Sequence, residues 1–106
     1  MAIKTSRMYP KNDQTITLTG LAPYGTKNYL SAATVTVTLV DANGNAVTGA
    51  TNITLTAVGG SPGTYNGPVA YTFNPAPGTY TLQITAVNAG QNFYGERKVQ
   101  VLQQPV

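Results

Sequence analysis

Apolar and polar residues alternate along most of this chain with a period of two, which is the spacing of residues on the two faces of a β-strand. In TITLTGL, Ile16 and Leu18 share one face and threonines occupy the other. The same alternation recurs in ATVTVTLVD, TNITLTAV, PVAYTFN, GTYTLQITAV and RKVQVLQ, and a short apolar piece lies near Val47. We find no useful helical period, so the pattern predicts about seven short strands.

Turn-forming residues separate these strands, in the segments DANGN, GGSPG, NPAPG and NAGQN. Short strands at such intervals favour an antiparallel β-sandwich, with the apolar sets on the inner faces and the threonines outside. We expect the sandwich to span residues 14–106. Residues 1–13 lack alternation, so we expect an extended basic N-terminal arm there.

The composition removes most reactive chemistry from a single domain of 106 residues. Cysteine and histidine are absent, which excludes disulfides, thiol catalysis, and the commonest general base and metal ligand. The only acidic residues are Asp13, Asp41 and Glu96, and their spacing suggests no paired-carboxylate site. We therefore expect no enzymatic activity, no catalytic residue, no bound metal and no cofactor.

Asp41, Asn43 and Asn45 have the alternate spacing that begins a calcium-binding loop. The twelfth position of such a loop would be Asn52, where calcium loops need a glutamate. Asn43–Gly44, in contrast, is a strong signal for a hairpin turn. We interpret DANGN as a turn between strands.

Charged residues make up 8% of the chain, against about 25% in typical domains. The net charge of +3 arises from Lys4, Arg7 and Lys11, because the remaining three cations and three anions cancel. These cations, with Tyr9, suggest an arm that binds an acidic protein surface; a solvated tail is the alternative. Nucleic acid is a less favoured partner, since three cations and one aromatic ring are few for it.

Tyrosine is frequent, with seven residues, and it suits interfaces because one end is apolar and the other forms hydrogen bonds. Tyr24 and Tyr29 lie in a long connection at 20–32, a length often associated with function. We expect Tyr80 to be a corner tyrosine of a sandwich, with Tyr65 and Tyr71 packed near it. The predicted partner-binding residues are Lys4, Arg7, Tyr9, Lys11, Tyr24 and Tyr29.

Three motifs are similar to those of bacterial and phage immunoglobulin-like domains, over about two-thirds of the chain. They are the strand end and turn LVDANG at 39–44, GTY at 63–65, and GTYTLQI at 78–84. The resemblance implies an immunoglobulin-like antiparallel β-sandwich. Because these motifs are structural, they specify function much less closely.

A copy of this domain with a basic first segment and no secretory signal most resembles a small phage virion protein. The implied role is head decoration, capsid cementing or a similar accessory position in the virion after synthesis in the host cytoplasm. The implied partners are the major capsid protein or other virion proteins and further copies of the chain, with no membrane association. The alternatives are a glycan- or surface-binding module and a spacer domain of a larger adhesin.

Overall fold

The computed structural model describes residues 2–22, 29–30 and 32–102, and in these ranges the protein is all-β. Two short strands near the N-terminus precede six longer ones, the last two of which form a long hairpin. The strands are β1 (Ala2–Ile3), β2 (Arg7–Met8), β3 (Gln14–Thr19), β4 (Thr34–Val40), β5 (Ile53–Ala57), β6 (Tyr65–Val69), β7 (Gly78–Asn88) and β8 (Gln91–Val101).

Hydrogen bonds connect these strands in the order β1-β3-β6-β5-β4-β7-β8-β2. Every neighbouring pair is antiparallel except β2 and β8, which run parallel, so the sheet is mixed. The two ends of this order, β1 and β2, are joined by only three residues, so Ile3 and Arg7 lie within about 14 Å of each other. The sheet is therefore curled, and its two edges approach each other.

Strand β5 is where the sheet bends, because its two halves have different partners. Ile53 and Leu55 pair with Val37 and Val35 of β4. Thr56 and Ala57 instead pair with β6. Strand β5 therefore joins the part of the sheet formed by β1, β3 and β6 to the part formed by β4, β7, β8 and β2.

The core lies inside the curl and is filled by the inward positions of the alternating runs. Its buried members from the predicted strands include Ile16, Leu18, Val35, Val37, Leu39, Leu55, Leu82, Ile84, Ala86, Val99 and Val101. Among the described residues, no polar or charged side chain is buried. The predicted division between apolar and threonine-rich faces is confirmed for these strands.

The N-terminal segment is part of this sheet, so the prediction of an extended arm at 1–13 is wrong for the residues described. Ala2 and Ile3 pair with Thr19 and Leu18 of β3, and β2 pairs with the end of β8. Ile3 is 6% exposed and Met8 is fully buried. This strand pairing is not visible in the sequence, because each of the two strands has only two residues, which is too short for an alternating pattern.

Strand β6 begins earlier than its alternation suggests, at Tyr65, and ends at Val69. A turn follows, in which the N–H of Phe73 donates to the carbonyl of Ala70 at 3.0 Å. Phe73 is buried, but Tyr71 is 65% exposed. The prediction that Tyr71 packs inward is therefore wrong, because the turn breaks the period-two pattern before it.

The DANGN segment is a turn, as predicted, although its geometry differs from a two-residue hairpin. Gly44 has a positive φ of 81°, whereas Asn43 does not adopt the left-handed region. Asp41 accepts hydrogen bonds at its Oδ1 from the N–H groups of Asn43 and Asn45, at 2.9 and 3.0 Å. One carboxylate oxygen thus organises the loop, in the manner of an Asx turn.

Candidate partner-binding surface

The structure places the predicted cations on one continuous surface segment, residues 4–11. Lys4, Arg7 and Lys11 are exposed, and Tyr9 is half-buried. Lys4 follows β1 at the β3 edge, and Arg7 lies opposite Gln100 at the β8 edge. The cations therefore follow the line where the curled sheet brings its two edges together.

Hydrogen bonds to β3 hold the first half of this segment. The N–H of Lys4 donates to the carbonyl of Thr17 at 2.9 Å. The hydroxyl oxygen of Thr5 accepts from the N–H of Thr17 at 3.1 Å, replacing a backbone carbonyl. This side chain continues the edge pairing while the backbone leaves β3 and crosses to β8.

The second half is held by a side-chain amide that forms the pair of backbone hydrogen bonds a neighbouring strand would form. Gln14 accepts from the N–H of Tyr9 at 2.9 Å and donates to the carbonyl of Tyr9 at 2.7 Å. Lys11 has a φ of 62°, and its N–H donates to the carbonyl of Phe73 at 2.6 Å. The backbone that carries the cations is thus fixed before any partner arrives, which lowers the entropy cost of binding.

The two predicted tyrosines of the long connection belong to a separate region. Tyr29 is 49% exposed, and part of its ring lies beside Gly63. A Cβ built on Gly63 would lie 3.1 Å from both Cβ and Cδ1 of Tyr29. Tyr24 lies outside the described residues. The structure therefore brings together Lys4, Arg7, Tyr9 and Lys11 along one segment, and places Tyr29 against the turn at Gly63.

A second surface, which the sequence did not single out, is the outer face of β5, β4, β7 and β8. Thr54, Thr36, Thr85 and Tyr94 lie opposite one another across the four strands. Their side chains share one face, because residues paired across strands point to the same side. Tyr94 is 59% exposed at the end of this row, which gives the polar face an aromatic border.

Tyr94 has a perturbed acidity within this row. Desolvation by its neighbours raises the pKa of Tyr94 above its usual value, and the negative charge and hydrogen bonding of Glu96 raise it further. Tyr94 and Glu96 are two residues apart on β8, so their side chains lie on the same face. The phenol is therefore neutral at physiological pH and can donate a hydrogen bond.

Among residues 2–22, 29–30 and 32–102, no three acidic, histidine or cysteine side chains converge as a metal site would require. The same ranges contain no helix of the length and apolar character needed to span a bilayer. Comparisons with protein-family models, curated proteins and solved structures found no match to this chain.

Proposed function

We propose that this chain is a non-enzymatic structural protein of a phage particle, folded as an immunoglobulin-like sandwich, that binds the capsid or another virion lattice. Its attachment surface is residues 4–11, which we call the basic edge. In this proposal the basic edge replaces a free arm, because its backbone is already hydrogen-bonded to the rest of the domain.

The strand order supports the immunoglobulin-like part of this proposal. Divided at the bend in β5, it reads β1-β3-β6-β5 and β4-β7-β8-β2. Immunoglobulin domains have the sheets ABED and CFG, and the first four strands here correspond to A, B, E and D. Strands β4, β7 and β8 then correspond to C, F and G, and β2 extends the second sheet.

Tyr80 adds a second argument for this fold. Its hydroxyl donates to the carbonyl of Ala76, four residues upstream, at 2.7 Å. Immunoglobulin-like sandwiches have a corner tyrosine with this type of bond near the start of the sixth strand. Tyr80 lies near the start of β7, which is F in the correspondence above, and it packs against the core.

The observation that carries the functional proposal is the placement of Lys4, Arg7 and Lys11, all exposed on an anchored backbone. The rest of the chain has equal numbers of cations and anions, so the basic excess is confined to this edge. A fixed cationic edge on a neutral body fits an acidic protein surface. A particle presents many copies of that surface, and modest individual contacts then add up through multivalency.

Charge-neutralising variants test this role without damaging the fold. Lys4→Gln/Arg7→Gln removes two exposed cations from the basic edge, whereas Arg97→Gln/Lys98→Gln removes two from β8 and serves as a matched control. Each variant is mixed with virions assembled without the protein and sedimented. We expect the first variant to lose at least about tenfold in binding and the control to keep most of it. Equal binding by wild type and both variants would contradict the proposal.

Gene order provides an independent test that separates this role from the spacer alternative. Neighbouring genes for capsid and tail proteins would support a virion role. A single long reading frame for a secreted adhesin that contains this domain would overturn it.

Glycan binding is a second candidate, favoured by one observation: the row of threonine hydroxyls that ends at Tyr94. Sugar rings stack on aromatic faces and bond with hydroxyl groups beside them. A glycan array probed with wild type and Tyr94→Ala tests it. A signal that Tyr94→Ala abolishes supports glycan binding, and the absence of any signal removes it.

A further inference from the structure

Among the residues that the structure describes, strand β8 has an open edge over most of its length. On one side it pairs with β7 along all eleven residues, but on the other side β2 covers only Gln100 and Val101. The N–H of Gln100 donates to Ser6, and the N–H of Leu102 donates to Met8. The edge from Asn92 to Lys98 has no neighbouring strand among the described residues.

The hairpin turn determines which backbone groups face this open edge. Ala89 and Gly90 both have positive φ, 50° and 81°, as in a two-residue type I′ turn. The flanking pair Asn88 and Gln91 is then hydrogen-bonded, and such pairs alternate along β7 and β8. The even-numbered residues of β8 therefore point their N–H and C=O groups away from β7, toward the open edge. The bond from the N–H of Gln100 to Ser6 agrees with this direction.

The opposite edge of the sheet, along β3, is covered by the N-terminal segment. Along β3, Ala2 and Ile3 form backbone pairs, Lys4 bonds to Thr17, and the Thr5 hydroxyl completes the cover. The same N-terminal segment thus covers β3 and only the end of β8. Open edges of this kind bind further strands.

We propose that the open edge of β8 pairs with β8 of a second copy of this chain, antiparallel and about a two-fold axis through Gly95. In this register Tyr94 lies opposite Glu96 of the second copy, and Asn92 lies opposite Lys98 of the second copy. Every outward N–H and C=O of these four residues then has a partner. This proposal does not rest on the virion role, because it concerns the purified chain alone.

Like-charge repulsion, the cover provided by β2 and the position of the hairpin turn disfavour the neighbouring registers. Centring the pair on Glu96 places two carboxylates directly opposite and moves Asn92 onto Gln100, which β2 already covers. Centring it on Tyr94 moves Lys98 onto the turn at Gly90. An in-register parallel pair aligns Glu96, Arg97 and Lys98 with their own copies, which like-charge repulsion disfavours.

The Gly95 register also forms favourable side-chain pairs. Arg97 lies opposite Phe93 of the second copy on the inner face, where a guanidinium can stack on the ring. The two Glu96 carboxylates are diagonal to each other, about 7 Å or more apart, where solvent screens them. The paired segment, 92–98, is roughly 23 Å long, so the interface is small and the dimer weak.

Sedimentation equilibrium of purified wild type up to ~1 mM measures the self-association, and a charge swap tests the register. Asn92→Lys places a lysine opposite Lys98 of the second copy, and the two-fold axis repeats this repulsive pair at the other end of the paired segment. We expect it to weaken association at least about fivefold. Adding Lys98→Glu to that variant makes both pairs attractive and should restore association. Residues 92 and 98 are exposed, so these variants leave the fold intact.

Amide hydrogen exchange gives a second measurement. We expect the N–H groups of Asn92, Tyr94, Glu96 and Lys98 to become more protected as concentration rises, while Phe93 and Arg97 are protected throughout. A wild type that stays monomeric at every concentration overturns the proposal, as does equal association of wild type, Asn92→Lys and the charge swap. Protection of the odd-numbered amides alone also overturns it.

Discussion

The hydroxyl of Tyr65 donates a 2.7 Å hydrogen bond to the carbonyl oxygen of Leu30. The hydroxyl oxygen of Tyr65 also accepts a hydrogen bond from the N–H of Ala33 at 3.1 Å, so one phenol holds two points of the connection between β3 and β4. Tyr65 itself is 1% exposed. The connection therefore meets strand β4 at a position fixed from inside the core.

Removing this hydroxyl should destabilise the fold. Tyr65→Phe keeps the ring but leaves the Leu30 carbonyl and the Ala33 amide without their partner, which costs about 1–3 kcal/mol of unfolding free energy. Urea denaturation followed by circular dichroism measures the change. Tyr71→Phe is the matched control, because Tyr71 is 65% exposed, and we expect its effect to be within about 0.5 kcal/mol. Equal stability of Tyr65→Phe and wild type would show that these bonds contribute nothing.

The long alternating runs allowed the all-β class and the longer strands to be predicted. Strand β4 and the β7 and β8 hairpin have their apolar residues inside, because register and burial both follow the period of two. Alternation failed at Tyr71, where a turn intervenes after Val69. It also failed at β1 and β2, whose pairing depends on partners far away in sequence.

The candidate surface was predictable in composition but not in geometry. The cluster of Lys4, Arg7 and Lys11 is visible in the sequence. The anchoring of its backbone could not be predicted, because it depends on tertiary hydrogen bonds formed by the side chains of Thr5 and Gln14. The open edge of β8 could not be inferred either, because it results from how far β2 extends.

The burial of Met8 makes a test of the anchored N-terminal segment possible. Met8→Ala removes a fully buried side chain and should cost about 2–5 kcal/mol of unfolding free energy. Arg7→Ala, at the adjacent exposed position, should change stability by less than about 1 kcal/mol. Thermal or urea denaturation of both variants measures the difference. A free arm would instead give wild-type stability for Met8→Ala.

Gly67 is needed where β5 crosses from β4 to β6. A Cβ at this position would lie 2.6 Å from the carbonyl oxygen of Thr54 and 2.7 Å from Cδ2 of Leu55. Because a backbone atom is one of the two, Gly67→Ala must displace β5 or β6, and we expect a loss of about 1–3 kcal/mol.

Gly59→Ala is the control for this substitution, because a Cβ there meets nothing within 4 Å and its φ is not in the left-handed region. We expect its stability to stay within about 0.5 kcal/mol of wild type. Denaturation curves of both variants compare them. If Gly67→Ala were as stable as Gly59→Ala, the close approach of β5 and β6 would be refuted.

Glu96 should control part of the acidity of Tyr94. Desolvation, then the charge and hydrogen bonding of Glu96, raise the pKa of this phenol in the folded protein. Glu96→Gln removes the charge, so the pKa of Tyr94 should fall toward its usual value near 10 while remaining above it, because the desolvation persists. Glu96→Asp keeps a carboxylate nearby and should retain more of the upward shift.

The ultraviolet absorbance of tyrosinate, titrated with pH, measures this change, and subtraction of the same titration in a Tyr94→Phe background isolates Tyr94 from the other six tyrosines. A pKa above the unfolded value favours the neutral phenol in the folded chain. Its contribution to stability is therefore complete below about pH 10 and is lost as the pH rises through the folded pKa. This alkaline loss should be smaller in Glu96→Gln than in wild type. Identical Tyr94 titrations in wild type and Glu96→Gln would rule out the influence of the carboxylate.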